Sequence, residues 1–373
     1  MHRWSVAPYY RLMQVLLWAG GLPVKVVGNP LPAGPLVVVA NHACFADAEF
    51  LTRISWRQIH FLATAEALRN PLIAHLFRHS GIIPVRRYRP DVTPYRAIHR
   101  FLQAGEIVGI NVEGEDTPLG DYQGCLPTVA ALVARLGVPV VPVGISGSYD
   151  AGPRWAGVLR RRPVTLRVGS PIAFEGPDPK TTIDEAIIAL LEEPEQHVHL
   201  DGLPRDKLSR VLWACPRCFD QRSWSSSRLC CDSCGAHFDP TPDGFFVDET
   251  GRVSTLAALG RPVFAQAIST NAIVCPAQGF HEPADRVTIR RLDPLGEQVL
   301  RVSKGDLSFG SLTIPTHQIT SISVEGSDLL QIATEDGMWQ FRPRGESAFR
   351  LREVMRSWTH AGRRRIAQAS ARS

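Results

Sequence analysis

The sequence predicts an α/β domain with a mostly parallel sheet, then a small four-cysteine segment, then a C-terminal β-rich module. Three observations carry this reading. From Leu36 to about Ile172, short apolar runs alternate with helix-length segments, as strands joined by crossover helices do. Past a change of composition near Pro204 come two C-x-x-C pairs. Beyond Asp285, short strand-like runs separated by turn residues replace the alternation, and one amphipathic helix closes the series.

Each element has its own signal. The apolar run Leu36-Val-Val-Val-Ala40 reads as a buried strand, and Ile59 to Ala63 as another. Ala67 to His79 and Pro94 to Gln103 read as helices, Glu106 to Val112 as a strand and Pro127 to Leu136 as a helix. Val138 to Ile145 and Val164 to Val168 complete the strands. Thr182-Ile-Asp-Glu185 has the pattern of a capping box opening a helix that runs through Glu193, with Pro194 ending it. In the last third the strand candidates are Val287–Leu292, Gln298–Val302, Leu312–Ile314, Ile319–Val324, Leu329–Thr334 and Trp339–Phe341. Leu351, Val354, Met355 and Trp358 then share one helix face.

At the N-terminus, Tyr9, Leu12, Met13, Leu16 and Leu17 recur at helical spacing until Gly20-Gly21 and Pro23 stop the run. Such a helix suits either core packing or an interfacial position on a membrane, where Arg3, Arg11 and Lys25 would meet headgroups. The longest apolar stretches, Pro35 to Ala40 and Ala186 to Leu191, fall far short of the ~20 residues that cross a bilayer. No signal-peptide pattern is present. The expectation is a cytoplasmic protein, peripheral on the inner face of the membrane. A length of 373 residues suits two or three domains, and 44% hydrophobic residues supply an ordinary core. The formal charge of +5 fits attraction to anionic lipid or phosphate but discriminates little, and no nucleic-acid partner is expected.

Four of the eight cysteines form Cys215-Pro-Arg-Cys218 and Cys231-Asp-Ser-Cys234-Gly235, with twelve residues between the knuckles. This spacing suits a zinc ribbon in which four thiolates surround one tetrahedral ion. Four thiolates leave no open position, so the zinc would be structural. Cys230 adjoins Cys231 and reads as the spare, because Cys231 keeps the C-x-x-C-G spacing. Cys44, Cys125 and Cys275 read as small core residues.

The chemistry centres on Asn41-His42-Ala43-Cys44-Phe45-Ala46-Asp47, an N-H-x4-D motif at the carboxyl end of a strand, where α/β sheets build their sites. If the chain turns between them, Asp47 accepts a proton from one ring nitrogen of His42 and leaves the other free to take one from a hydroxyl. Taken alone, the pair also reads as a strand-ending histidine and a helix-capping aspartate. Three further blocks give it context: Gly81-Ile-Ile-Pro-Val-Arg86-Arg87, Glu113-Gly114 after the strand Ile107 to Val112, and Val138-Pro-Val-Val-Pro-Val-Gly144.

These four blocks, in this order over about residues 30–175, resemble the glycerolipid acyltransferase family that includes 1-acylglycerol-3-phosphate acyltransferase. The resemblance implies an α/β acyltransferase domain over 31–205. It makes His42 the general base on the acceptor hydroxyl and Asp47 its orienter. Arg87 would bind the acceptor phosphate, Glu113 and Gly114 would help bind its glycerol-phosphate part, and the prolines of the fourth block would shape the acyl-donor side. The acceptor would be a lysophospholipid, and the donor acyl-CoA or acyl carrier protein, with no further organic cofactor. The third block departs from the family's usual F-P-E-G-T-R or F-P-E-G-E-R. It reads Asn111-Val112-Glu113-Gly114-Glu115-Asp116, so Asp116 stands where an arginine is expected and reverses a charge beside the presumed phosphate. Arg86 and Arg89 could compensate. A glycolipid or aminolipid acceptor is the alternative, as is a non-catalytic lipid-binding scaffold.

The expected organisation is thus an interfacial helix in 1–30, the α/β domain in 31–205, a zinc ribbon in 211–240 and short linking elements in 241–280. A module over 281–361 resembles a pleckstrin-homology-like domain in the order of its pattern, and a basic tail, 362–373, ends the chain.

Overall fold

The computed structural model describes residues 11, 14–15, 19–20, 22–65, 75, 80–86, 91–174, 178–267, 270–283 and 292–359. Outside them lie the basic tail, Arg3, Arg87 and Arg89, and the apolar positions expected on the N-terminal helix. So do the helix over 67–79, apart from His75, and all but the last residue of the strand expected at Val287–Leu292. Among the described residues no helix is long and apolar enough to cross a membrane.

The chain divides into two compact units, residues 1–154 with 158–197, and residues 155–157 with 198–373. The first unit is built on a seven-stranded sheet. In chain order its elements are β1 (Val24–Gly28), β2 (Leu36–Ala40), α1 (Asp47–Leu51), β3 (Ile59–Thr64), β4 (Ile83–Val85), α2 (Thr93–Gln103) and β5 (Ile107–Asn111). Then follow α3 (Pro127–Ala134), β6 (Val140–Ser146), the short α4 (Ser148–Ala151), β7 (Val164–Val168) and α5 (Pro179–Ile188). The strand order is β1-β7-β6-β2-β5-β3-β4, and every pairing is parallel except β6 with β7.

β2 is the central strand, and all five of its residues are buried, which is why its sequence is a continuous apolar run rather than an alternation. Its side chains feed two cores on opposite faces. Leu36, Val38 and Ala40 pack with Phe50, Ile59 and Leu166, whereas Val37 and Val39 pack with Ile98, Ile110, Val133 and Ile187. β2 pairs with β5 through Ala40 opposite Asn111. Residues two places beyond this register pair, His42 and Glu113, are thereby brought side by side at the carboxyl edge of the sheet.

Two expectations need correction here. Residues 24–28 form an edge strand paired with β7, not part of a helix. Helical turns do occur at residues 11, 14–15 and 19, but Gln14 is 7% exposed and its Nε2 donates to the carbonyls of Thr52 (2.6 Å) and Ser55 (3.0 Å). That face of the segment lies against protein. The capping box is also displaced. α5 opens at Pro179, its cap is Asp178, which accepts from the Lys180 N–H, and the helix ends at Ile188.

In the second unit, β8 (Trp224–Ser225) and β9 (Cys230–Cys231) form a small hairpin, and β10 (Phe238–Pro240), β11 (Phe246–Asp248) and β12 (Val253–Ser254) a three-stranded sheet. The stretch 241–280, expected as linking elements, instead contains α6 (Leu256–Ala267) and most of β13 (Ala272–Pro283). β13 is the centre of a seven-stranded antiparallel sheet with β14 (Asp293–Ser303), β15 (Asp306–Phe309), β16 (Leu312–Pro315), β17 (Ser321–Glu325), β18 (Leu329–Thr334) and β19 (Gly337–Pro343). The order is β16-β15-β14-β13-β19-β18-β17, and α7 (Ala348–Trp358) packs against β17 and β18. Pro276 sits in β13, and its carbonyl accepts from the Arg344 N–H (2.8 Å), just past the end of β19.

Candidate active site

His42 follows the buried end of β2, and the chain turns back at once into α1. Small residues at 43 and 46 permit that tight turn. Asp47, fully buried at the start of α1, closes it. Its Oδ2 accepts from the Ala43 N–H (2.7 Å), the Cys44 N–H (2.9 Å) and Nδ1 of His42 (2.9 Å). A carboxylate receiving Nδ1–H leaves the lone pair of a neutral imidazole on Nε2. The His42 side chain is 21% exposed, so the ring reaches solvent while its partner does not.

The backbone of His42 is held from both sides by the loop after β5. Its N–H donates to Glu113 Oε1 (2.6 Å), and its carbonyl accepts from the Thr117 N–H (3.0 Å). The other Glu113 oxygen accepts from the Gln123 N–H (2.7 Å). Burial pushes the Glu113 carboxyl well above the usual carboxylate range, while the two backbone donors pull it down. Glu113 thus faces the protein's own backbone with both oxygens. Gly114 has φ +76°, a left-handed conformation that favours glycine at this point of the loop. Asn41 is 2% exposed. Its Nδ2 donates to the Ile145 carbonyl (3.0 Å) and its Oδ1 accepts from the Ile145 N–H (2.7 Å), tying the end of β2 to β6.

Asp116 does not stand as an uncompensated charge. Its Oδ1 lies 3.1 Å from Nε of Arg154, a residue 4% exposed on the segment after α4. The same guanidinium donates to the Asp116 carbonyl (2.7 Å) and meets Glu115 Oε2 at 3.4 Å. Arg87 lies outside the described residues, and Arg86 follows β4 half-buried. Cys44 is fully buried, and desolvation holds its thiol well above the ordinary range, as a core residue. Of the residues that position this site, Asn41, Thr117 and Arg154 had no role assigned from the sequence. Asn41 and Thr117 lie within or next to the motifs, whereas nothing local marks Arg154.

The second unit gathers the other predicted set. The sulfurs of Cys215, Cys218, Cys231 and Cys234 all lie within 4.8 Å of one another. Cys215 and Cys234 are 3.7 Å apart, and Cys218 and Cys231 3.6 Å. Thiolates ~2.3 Å from one tetrahedral zinc stand about 3.8 Å apart, so the four residues fit that ion. Each knuckle ends on a left-handed residue, Phe219 (φ 62°) in the first and Gly235 (φ 71°) in the second. Cys230 is outside the cluster, on β9 opposite Ser225.

Residues 23–146, which contain the histidine–aspartate pair at the carboxyl end of the central strand, match the Acyltransferase family model. The chain is an acyltransferase. A 1-acyl-sn-glycerol-3-phosphate acyltransferase of Bacillus subtilis (strain 168) is 29% identical to it over 168 residues, which cover 43% of this chain and 78% of that protein. Among solved structures, the 1-acyl-sn-glycerophosphate (LPA) acyltransferase PlsC from Thermotoga maritima is 20% identical, with a TM-score of 0.40, covering 49% of this chain and 76% of that one. The N-terminal PH domain of the human ARAP2 protein is 14% identical, with a TM-score of 0.18, covering 28% and 87% respectively.

Proposed function

We propose that the first unit moves a fatty acyl group from a thioester donor, acyl-CoA or acyl carrier protein, to the free hydroxyl of a lysophosphatidic-acid-like lipid. The His42–Asp47 hydrogen bond of 2.9 Å carries this reading, because it leaves Nε2 as the open base on a partly exposed ring. Nε2 of His42 takes the hydroxyl proton as the oxygen attacks the thioester carbonyl. A C–O bond forms, the C–S bond breaks, and the departing thiolate receives the proton from His42. Asp47 stabilises the imidazolium formed in between. General-base help of this kind contributes ~10²–10⁴ in rate, and positioning must supply the rest. Glu113 and Gly114 act on the protein side of the site, fixing His42, rather than on the acceptor. Arg87 is assigned to the acceptor phosphate on the strength of the second block.

Asp116 was the feature that favoured a glycolipid or aminolipid acceptor, and its pairing with Arg154 removes that reason. For the second unit we assign a structural zinc to Cys215, Cys218, Cys231 and Cys234, supported by sulfur spacings that suit one tetrahedral ion. We assign a pleckstrin-homology-like fold to the sheet β13–β19 with α7, supported by two antiparallel meanders flanking β13 and a closing helix. The lipid acceptor places the reaction at a membrane surface.

The deciding experiment is acyl transfer to a panel of lysolipids by wild type and His42→Ala, with circular dichroism to verify folding. Loss of turnover by at least ~10²-fold in a folded variant is expected. A well-folded His42→Ala protein of near-normal activity overturns the mechanism, and a wild type that prefers phosphate-free acceptors overturns the acceptor.

A further inference from the structure

We infer that Arg154 is a positioning residue for His42, acting through the loop that follows β5. That loop holds both backbone groups of His42, through Glu113 Oε1 on its N–H and the Thr117 N–H on its carbonyl. Between these two attachment points lie Gly114, Glu115 and Asp116. Gly114 occupies the left-handed region, and no helix or strand runs through these three residues, so the contacts they make set the course of the loop and, with it, the two attachments.

The segment after β6 braces it. Arg154 donates to the Asp116 carbonyl (2.7 Å) and pairs with Asp116 Oδ1 (3.1 Å) and Glu115 Oε2 (3.4 Å). Five residues earlier, the fully buried Tyr149 donates from its hydroxyl to the Pro118 carbonyl (2.8 Å), and a Cβ at Gly120 would lie 2.7 Å from its ring. The bracing segment is itself anchored. Asp150 Oδ1 accepts from Arg160 at 2.8 Å, and its Oδ2 lies 3.5 Å from Arg162. With a side chain only 3% exposed, Arg154 is shielded from solvent-borne substrate and directed at the loop. A planar guanidinium with several fixed donors can grip a carbonyl and two carboxylates together, which a lysine ammonium cannot do with the same geometry. Residue 154 also lies beyond the stretch 23–146 that matches the family model.

A brace that sets the position of a base without touching substrate affects turnover more than binding. A small displacement of a catalytic group costs on the order of 10²-fold in rate. The kinetic half of the test rests on the acyltransferase mechanism above, and the exchange half does not. Arg154→Met is compared with wild type in steady-state kinetics on lysophosphatidic acid and in amide hydrogen exchange. The expected result is a kcat lower by roughly 10- to 100-fold with KM for acceptor and donor within about twofold. Exchange should be faster at the amides of His42 and Thr117, with β2, β5 and β6 unchanged. Arg154→Lys should restore part of kcat. A raised acceptor KM with unchanged kcat makes Arg154 a binding group and overturns the proposal, as does exchange that rises evenly over the whole unit. Unchanged exchange at His42 and Thr117 also overturns it. If Arg154→Met fails to fold, Asp116→Asn, which weakens the same contact and keeps the arginine, must give the same local exchange and kcat signature. Inactivity of the wild type on every lysolipid overturns the acceptor assignment alone, and the exchange data then decide the brace.

Discussion

His42 has one ring nitrogen held and one open, and the holding is done by an atom that is itself fully committed. Asp47 Oδ2 takes three donors, so the carboxylate can neither rotate nor be replaced cheaply. Charge compensation at Asp116 follows the same logic of commitment. The nearly buried Arg154 guanidinium already faces Asp116 and Glu115, so Asp116→Arg would set two guanidiniums against each other at a site with little solvent. The variant should lose activity on phosphate-bearing and phosphate-free acceptors alike and melt at lower temperature. Paired-acceptor kinetics and thermal scans check this, and selective improvement on lysophosphatidic acid would contradict it.

At the scale of elements, the loop from Glu113 to Thr117 works because the N–H and the carbonyl of His42 each meet one of its groups. Glu113→Gln keeps the shape but turns an NH₂ toward either the His42 N–H or the Gln123 N–H, whichever way the amide lies. A buried donor left facing a donor costs about 1–3 kcal/mol. Urea unfolding should show that loss together with reduced turnover. A second junction joins β3, the start of β4 and α2 through His60, which is 4% exposed and stacks on Phe101 at 3.6 Å. Its Nδ1 lies 2.8 Å from the Gly81 carbonyl. Burial lowers the His60 pKa below the ordinary imidazole value, with the Gly81 carbonyl pulling the other way. The unfolded chain therefore protonates this ring near pH ~6.5 while the folded chain resists. The neutral ring contributes stability that is complete above that pH and is lost as pH falls through the folded value. His60→Phe should keep the stack, cost about 1 kcal/mol at pH 8 through the lost hydrogen bond, and flatten the acid side of the stability profile. Urea midpoints at pH 5 and pH 8 test the sign.

For the whole molecule, the four-cysteine cluster is the feature whose removal should reach furthest. If the proposed zinc is bound there, it contributes folding energy directly. Purified protein should carry about one zinc per chain by elemental mass spectrometry. Cys230→Ser should retain it, whereas Cys231→Ser should lose it. A strong chelator should lower the melting temperature of wild type and leave Cys231→Ser nearly unmoved. Loss of zinc from Cys230→Ser would show that the ligand set is misassigned.

The sequence by itself determined the parts whose chemistry is local. A continuous apolar run made β2 legible, because a strand buried on both faces can hold nothing else. The H-x4-D spacing was legible because a short turn suffices to bring Asp47 back to His42, and the C-x-x-C knuckles because each pair of thiols is set by a single turn. Only the tertiary structure decided what depends on distant chain. β1 is a short exposed-edge strand whose reason to exist is β7, some 140 residues away. β13 carries two prolines and a bulge at Gly279/Phe280, which hid it until its partners β14 and β19 were in place. Glu113 reads as a substrate ligand in the linear motif, and becomes a buried acceptor for the His42 backbone once Ala40 and Asn111 are in register. Asp116 reads as a misplaced charge until Arg154 arrives from beyond β6. Hydrogen bonds and ion pairs between segments far apart in sequence leave no periodic or spacing signal, because each partner's position is fixed by the packing of the sheet between them.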